Sequence, residues 1–330
     1  MRALALIAAL AMFVTAAFAP TLAADADTLD QARRAAEAAS FSGVVEVAWR
    51  DGATLHRQQL TVQAASGVLL FGGPTPLMAL DQARLIRDDA AWDVLWPAAF
   101  GRLSRPDSSD KYDQRVSVGP KLLGYTTAVI DIRRHNRVRE RLYVEEYSGL
   151  LLRRQQFDDR GRLQRSMGFL KLEVDSDAPA LPRPERAATG APQLIDAEDL
   201  HRPYSAPAAL GEGYQRTGAF RQGDVVQIVY SDGIYDLSVF EQRGRLSGAA
   251  VPEGGRSVRV GGTSGWHYTW PGGQVLLWQA GRTVYTAVGD APYDDVVKAV
   301  QRVRGSSGTS VVHRLRRGAR AFVGAFSPDR

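Results

Sequence analysis

Few residues of this 330-residue chain have the types and spacing that catalysis requires. Ser108 and Lys111 have the S-x-x-K spacing of a serine nucleophile with a lysine base, but the companion motifs of that chemistry are missing. The five histidines are scattered and no H-E-x-x-H pair occurs. His267, in GWHYTW, is predicted to lie on the wetter face of an alternating strand. The sequence therefore predicts a protein that is not an enzyme and that holds no metal or cofactor.

Acidic pairs do not offer a shared carboxylate site. The pairs at 88–89, 145–146 and 158–159 are adjacent in sequence, so in a strand their side chains point to opposite faces. We predict that they are turn and edge residues. The run GEGYQR at 211–216 begins like a dinucleotide-binding loop but lacks the third glycine, and we predict a turn there.

The N-terminus has the layout of a secretory signal peptide. Arg2 precedes an uncharged apolar run over 3–19, and small residues follow at Thr21, Ala23 and Ala24. We predict a signal peptide over 1–24, with an uncleaved membrane anchor as the alternative. Either one places the remaining chain in the periplasm or another extracytoplasmic part of the envelope. Because the chain has no cysteine, its stability must come from buried apolar area.

The charge is basic, with a net value of +5, and all but four of the 41 Lys and Arg residues are arginine. Outside the cytoplasm we expect no nucleic-acid ligand, so a basic surface would meet anionic lipid or an acidic protein. The tail over 305–330 mixes Arg314, Arg316, Arg317 and Arg320 with apolar residues. It is predicted either to contact an anionic membrane peripherally or to be a frayed terminus.

The rest of the chain divides into two β-rich domains, and the predicted class is α+β with mostly antiparallel strands. Residues 25–175 read as a helix followed by short strands, which form a curled sheet or half-barrel. The clearest part is 139–174, where glycine-containing turns separate three runs of a meander. Residues 176–203 contain five prolines and are predicted to be a linker. Residues 204–304 read as a smaller antiparallel sheet with one helix.

Three stretches resemble a known family: FSGVVEV at the start of the first domain, RERLYVEEYSGLLLRRQQFDDRGRLQRSMGFLKLEV at its end, and YSDGIYDLSVFEQRG followed by VYTAVGDAP in the second. The chain is similar to the MucB/RseB-like regulators of sigma-E-type sigma factors. The resemblance implies a LolA-like, lipoprotein-carrier-like half-barrel and a smaller C-terminal domain. It also implies an exported negative regulator that binds the exported part of a membrane-spanning anti-sigma factor and responds to lipid or lipoprotein.

Two sets of candidate binding residues follow. If the first sheet is only partly closed, its concave face could accept an acyl chain, with an ordinary filled core as the alternative. The lipid-binding candidates are Trp49, Phe71, Trp92, Trp96, Tyr125 and Phe169. By resemblance, the partner-binding candidates are Tyr230, Tyr235, Phe240 and Arg243, in and beside a strand that follows the Asp232-Gly233 turn. A lipid or lipoprotein carrier without a signalling partner is the alternative function, and an envelope hydrolase would require perturbed titratable groups in a cleft.

Overall fold

The structure, a computed structural model, describes residues 40–65, 68–72, 111–174, 193–201, 204–246, 251, 254–270, 272–301 and 303. Within these ranges the chain forms two antiparallel sheets of eight strands each and one α-helix, which confirms the predicted α+β class. The predicted signal peptide, first helix and basic tail lie outside the described residues. None of the helical segments in the described ranges has the length and apolar character that crossing a bilayer requires.

The first sheet is built from two runs of hairpins that meet in its middle. Its strands are β1 (Phe41–Asp51), β2 (Thr54–Ala65), β3 (Val68–Gly72), β4 (Asp113–Val118), β5 (Thr127–Arg134), β6 (Arg137–Glu145), β7 (Leu151–Phe157) and β8 (Leu163–Val174). Their spatial order is β3-β2-β1-β8-β7-β6-β5-β4, so the first strand pairs with the last. The consecutive pairing of β6, β7 and β8 confirms the predicted meander. Among the described strands β3 and β4 are the edges, and the sheet does not close on itself.

Side-chain alternation turns one face of this sheet toward the core. Ile130 of β5 is fully buried and lies directly opposite the buried Leu142 of β6. Val47 of β1 and Met167 of β8 form a similar pair near the middle of the sheet. Such cross-strand apolar pairs stabilise the sheet and fix its register, because a slip by one residue would turn every apolar side chain outward.

The second sheet has the order β13-β14-β15-β16-β12-β11-β10-β9. Its strands are β9 (Gln193–Leu194), β10 (Gln215–Gln222), β11 (Val225–Ser231), β12 (Asp236–Arg243), β13 (Arg256–Val260), β14 (Thr263–Trp270), β15 (Gly273–Ala280) and β16 (Thr283–Gly289). Helix α1 (Tyr293–Val300) follows β16. It begins after Pro292 with Asp294 and Asp295 in its first turn, and carboxylates at that position favour a helix start.

Three details differ from the sequence-based expectation. Strand β9 lies inside the predicted linker and pairs with β10, so the second sheet begins before residue 204. Strand β4 begins at Asp113, within a polar run that reads as a loop, and β10 follows directly after the turn at 211–213. The reason is the same for β9 and β4, which are edge strands: such strands are exposed on one side, carry polar residues and lack a strong apolar pattern. The second sheet also has as many described strands as the first.

One apolar core joins the two sheets. A single cluster of buried side chains includes Phe41 and Val45 of the first sheet together with Tyr235, Val239 and Val296 of the second. A smaller cluster lies on the opposite face of the second sheet and contains Tyr268, Val275, Leu277, Val284 and Val288. The second sheet therefore buries apolar side chains on both faces. Its inner face shares a core with the first sheet, and its outer face carries the smaller cluster.

Gly43 lies at a close approach of β1 and β8. The two strands shift register between Val44 and Val45, and a Cβ on Gly43 would overlap the carbonyl oxygen of Lys171. We expect Gly43→Ala to lower the free energy of unfolding in urea by about 1–3 kcal/mol, the usual cost of overpacking. In the control, Gly218→Ala, the new methyl meets only the ring edge of Phe220, which can rotate. Equal losses in both variants would contradict this interpretation.

Candidate functional site

The lipid-binding candidates do not meet at one place. The ring of Phe169 is buried and packs edge-on against Phe41 at 5.5 Å between centroids. Trp49 is half-buried near the β1–β2 turn and stacks on His56 at 5.3 Å. Tyr125 is half-buried at the opposite end of the sheet, in the β4–β5 turn. Phe71 lies in β3 with its backbone opposite Val62. Trp92 and Trp96 lie outside the described residues.

The partner-binding candidates lie on different faces of the second sheet. Tyr230 and Tyr235 are 1% and 0% exposed, so neither ring is at the surface. Phe240 is half-buried against the smaller apolar cluster on the sheet's opposite face. Arg243 is exposed, and its guanidinium lies 5.7 Å from the ring of Tyr204. Only Phe240 and Arg243 therefore retain any surface, and they do not share a face.

The Asp232-Gly233 turn has the predicted geometry, with Gly233 at a φ of +100°. One carboxylate oxygen of Asp232 accepts hydrogen bonds from the backbone N–H groups of Ile234 and Tyr235, at 3.0 and 2.8 Å. Its other oxygen accepts from the Tyr112 hydroxyl at 2.7 Å and from the Lys111 ammonium. The turn that starts β12 is thus also a contact with the first domain.

Lys111 is the centre of this contact. Its ammonium also donates to the carbonyl of Glu212 at 2.6 Å and lies 5.0 Å from the ring of Tyr112. Burial lowers the pKa of Lys111, and the neighbouring Asp232 carboxylate only partly opposes this effect. Nearby, Arg134 pairs with the side chain of Glu212 at 2.9 Å. The lysine of the S-x-x-K spacing therefore joins the two domains, and Ser108 lies outside the described residues.

A second contact is centred on Arg139, whose side chain is 2% exposed. Its guanidinium donates to Asp159 of the β7–β8 turn and to Asp295 in the first turn of α1. The hydroxyl of Tyr235 lies 3.4 Å from the carbonyl oxygen of Arg139 and donates to it. Burial raises the pKa of Asp295 even though the Arg139 charge lowers it, which shows that desolvation of this carboxyl is costly.

The third contact surrounds Glu140 and Arg154, both of which are buried. Arg154 pairs with Glu140 and reaches the Asp290 carboxylate of the second domain at 3.3 Å. Gln156 donates to Glu140 at 2.7 Å and to the carbonyl of Asp290 at 3.1 Å. Arg165 donates to the same carbonyl at 3.2 Å. Burial lowers the pKa of Arg165 to about 10, with Asp290 acting in the opposite direction.

We call these three contacts together the polar junction. Its cations come from the first domain: Lys111, Arg134, Arg139, Arg154 and Arg165. The acids that face them from the second domain are Glu212, Asp232, Asp290 and Asp295. Buried ion pairs add little net stability, but removing one partner leaves an uncompensated charge and is costly. The junction therefore specifies one relative placement of the two sheets.

His267 borders this region and does not face solvent, so the expectation of a wetter strand face was wrong. Its side chain is 2% exposed because its β14 position faces the shared core. Nδ1 accepts from Arg256 at 3.0 Å, and Nε2 donates to the side-chain oxygen of Gln274 at 2.6 Å, which defines a neutral imidazole. Burial is the largest cause that lowers the pKa of His267 to about 4.

Glu241 is a buried acid that forms no ion pair with a cation in the part of the chain that the structure describes. Its side chain is 0% exposed, and Oε2 accepts from the backbone N–H of Ser205 at 2.9 Å. Oε1 has no hydrogen-bond partner among the described residues. Burial raises the pKa of Glu241 to about 8, and the Ser205 hydrogen bond acts weakly against it. At neutral pH this side chain is therefore mostly protonated and uncharged.

The perturbed groups do not form an active site. Lys111, Glu241 and His267 are buried or nearly so, and their partners are structural hydrogen bonds and ion pairs. In the described ranges no group of three or more His, Asp or Glu side chains is placed to hold a metal ion.

Taken together, the described chain is an α+β protein whose two antiparallel sheets share a core and a polar junction. No family model and no curated protein matches it. Among solved structures it is similar to the crystal structure of MucB, with 18% identity, a TM-score of 0.44, and coverage of 84% of this chain and 97% of that one. It is also similar to MucB in complex with MucA(peri), with 16% identity, a TM-score of 0.43, and coverage of 84% and 97%. A complex of Pseudomonas aeruginosa MucA/MucB gives 18% identity, a TM-score of 0.43, and coverage of 83% and 96%.

Sequence reasoning missed the polar junction. The available signal was the charge inside predicted strands, as in RERL and RRQQ, where residues 139–141 and 153–154 are runs of consecutive charged residues. Charges on strands usually mark a solvated face. Here some of these charged side chains face the second domain, whose position cannot be derived from the sequence alone.

The Arg139–Asp295 pair can be tested by a double-mutant cycle in urea. We expect Arg139→Met to lower the free energy of unfolding by about 3–5 kcal/mol, because the Asp295 carboxyl stays buried without its cation. Arg139→Met combined with Asp295→Leu should regain part of that loss. The control is Asp159→Asn, which alters a half-exposed partner of the same guanidinium and should cost less than about 1 kcal/mol. Additive losses in the double variant would contradict a coupled pair.

Glu241 should make stability fall as the pH rises. Its folded pKa of about 8 lies above the ordinary value of 4.5, so between these values the folded protein binds more protons than the unfolded chain. Its contribution is fully present below pH 4.5 and is lost at about 1.4 kcal/mol per pH unit up to pH 8. Glu241→Gln keeps the acceptor for Ser205 and should flatten this decline in urea unfolding measured from pH 5 to 8. An unchanged slope would contradict a buried neutral Glu241.

Proposed function

We propose that this chain is an exported negative regulator that binds the exported domain of a membrane-spanning anti-sigma factor in the periplasm. In this role it holds an extracytoplasmic-function sigma factor pathway in its inactive state. Lipid or lipoprotein bound to the first domain would weaken the complex. The alternative is a lipid or lipoprotein carrier of the envelope that has no signalling partner.

The observation that carries the proposal is where the family-like stretches meet. Residues 139–174 supply Arg139, Arg154 and Arg165 to the polar junction. Residues 230–244 supply Asp232. The stretch 284–292 supplies Asp290, and helix α1, which follows it, supplies Asp295. The stretches quoted for the resemblance from these two ends of the chain therefore come together in one buried contact. This supports a two-domain regulator, because a simple carrier has no need of a second domain fixed in this way.

A polar junction between two domains suits a protein in which the binding of a ligand changes the binding of a second protein. If lipid binding favours a state that releases the partner, then partner binding must disfavour lipid by the same factor. The coupling requires a structural element that can adopt two arrangements. Each ligand must favour one of these arrangements over the other. The polar junction is the element that we propose for this role, with the pairing described above as one of its two arrangements.

For the partner surface we propose the exposed end of β12 around Arg243, with Phe240 on the opposite face of the sheet. Arg243 and Arg221 lie on the ring of Tyr204, at 5.7 and 5.4 Å. The Tyr204 hydroxyl is held by the carbonyl of Asp224 at 3.0 Å. Stacked guanidinium groups on an aromatic ring suit an acidic segment, because Arg binds carboxylates in a fixed planar geometry.

The test is a capture experiment with the full mature chain. The protein without residues 1–24 is immobilised and exposed to detergent-solubilised envelope membranes, and the bound proteins and lipids are identified by mass spectrometry. We expect a single-pass membrane protein whose cytoplasmic part binds a sigma factor. Arg243→Glu should reduce its capture about tenfold, the scale of a reversed interfacial charge. Truncation at Pro203 is a weaker test, because it removes the acids of the junction and leaves the arginines of the first domain without partners.

The matched control is Lys171→Glu, a charge reversal at an exposed position near the end of β8 that lies opposite to the polar junction. It should leave capture unchanged. Recovery of lipoproteins alone by the wild-type chain would favour the carrier, and equal capture by both variants would contradict the proposed surface at Arg243.

A further inference from the structure

The β4–β5 turn presents a leucine in an unfavourable backbone conformation. Leu122 and Tyr125 exchange backbone hydrogen bonds of 3.0 and 2.9 Å, so the turn between them has two residues. Both have positive φ, +52° for Leu123 and +86° for Gly124. Glycine adopts such angles at no steric cost, whereas a bulky side chain does so only when the surrounding structure enforces it.

In other turns of the described chain, the non-glycine residues with positive φ have polar side chains. The β5–β6 turn has positive φ at His135 and Asn136, whose side chains tolerate this region. Glu212 also has positive φ, and its carboxylate is used in the pair with Arg134. Leu123 is the one apolar member of this group among the described residues. Since Asn or Gly would relieve the strain, the leucine must be present for another reason.

Hydrogen bonds on both sides of the turn hold its backbone in this conformation. Gly119 donates to the carbonyl of Thr127 at 2.6 Å, and the Thr127 hydroxyl donates to the carbonyl of Pro120 at 2.7 Å. A Cβ on Gly119 would overlap the Thr127 hydroxyl, so this approach requires glycine. The side chain of Leu123 is nonetheless 45% exposed. The fold therefore fixes an apolar group in water and does not bury it.

A second turn places more apolar surface beside it. The backbone N–H of Glu146 donates to the carbonyl of Thr126 at 3.2 Å and joins the β6–β7 turn to the β4–β5 turn. Tyr147 in that turn is 82% exposed, and Val118 at the end of β4 is 66% exposed. We call Val118, Leu123 and Tyr147 the apolar tip.

The apolar tip lies at the end of the first sheet farthest from the second domain. The antiparallel register places the turns at 119–126 and 145–150 at one end and those at 135–136 and 158–162 at the other. The polar junction uses the second end, through Arg139 and Asp159. The apolar tip therefore takes no part in the polar junction between the domains.

The charges around the tip indicate what it would meet. Lys121 is exposed on one turn and Glu146 on the other. Glu145 is turned inward: burial raises its pKa, but hydrogen bonds from Ser148 and Tyr147 outweigh burial and lower it. A surface with one exposed cation and one exposed anion around apolar side chains matches a zwitterionic headgroup layer better than an anionic one. Tyrosine and leucine are suited to that interface.

We propose that the apolar tip inserts into the headgroup region of a zwitterionic phospholipid bilayer. Insertion removes Leu123, Val118 and part of Tyr147 from water, so the interaction is driven by apolar burial and not by charge. It would orient the protein with its second domain away from the bilayer. This goes beyond the proposed function, because it requires neither the anti-sigma partner nor a lipid inside the first domain.

The probe is a phosphatidylcholine vesicle, and the readout is co-sedimentation of the mature chain. We expect binding that is the same at 0.1 M and 0.5 M NaCl. Leu123→Asn should weaken the partition coefficient about tenfold, which is the effect of losing one buried leucine side chain. Because asparagine tolerates the positive φ, the melting temperature of this variant should be equal to or higher than that of the wild type. Loss of binding therefore cannot be attributed to unfolding.

The matched control is Leu55→Asn, which removes a leucine of similar exposure, 42%, at the other end of the sheet. It should leave vesicle binding unchanged. Absence of wild-type binding at millimolar lipid would overturn the proposal, as would binding that needs anionic lipid, falls with salt and ignores Leu123→Asn. A dimer in sedimentation velocity that Leu123→Asn dissociates would also overturn it, because the tip would then bind a second copy of the chain.

Discussion

The buried ion pairs between the two sheets are the constraint on which the remaining structure depends. Each sheet alone would expose charged side chains that it now buries: Arg139 and Arg154 on the first, Asp290 and Asp295 on the second. Such groups are tolerated in a core only when paired and hydrogen-bonded. The shared apolar cluster supplies the driving force for docking, whereas the charges select one docking arrangement among many that would bury similar apolar area.

Local features of the fold could be predicted from the sequence, whereas contacts between the domains could not. The meander over 139–174, the turn at Asp232-Gly233 and the helix after Pro292 follow from periodicity, glycine and first-turn acids, which are properties of neighbouring residues. The burial of Tyr235 involves the first domain, where the Arg139 carbonyl accepts a hydrogen bond from its hydroxyl. No pattern within a strand distinguishes a polar face in water from one that meets a complementary face.

The same limit explains why the candidate sites changed. Aromatic residues in strands predict either a core or a binding face, and Phe169 belongs to the core because β1 and β8 pair in the middle of the sheet. The exposure of Leu123 was not predicted, because LLGY at 122–125 has no property that marks its second residue as strained. Only the backbone angle shows that Leu123 has an unfavourable conformation.

The two ends of the first sheet have opposite chemistry, and this arrangement bears on how the protein could work. One end carries charges whose partners lie in the second domain, and the other carries apolar side chains that no described domain contact covers. Strands about eight residues long separate the two ends, so a change in pairing at the junction must reach the tip through the register of β5 and β6. Both strands are continuous, and the ladder between them shifts register once, between Ile132 and Arg133. A ligand that alters the register would therefore act on both ends at once, whereas one that binds a single end without moving the ladder would leave the other unchanged.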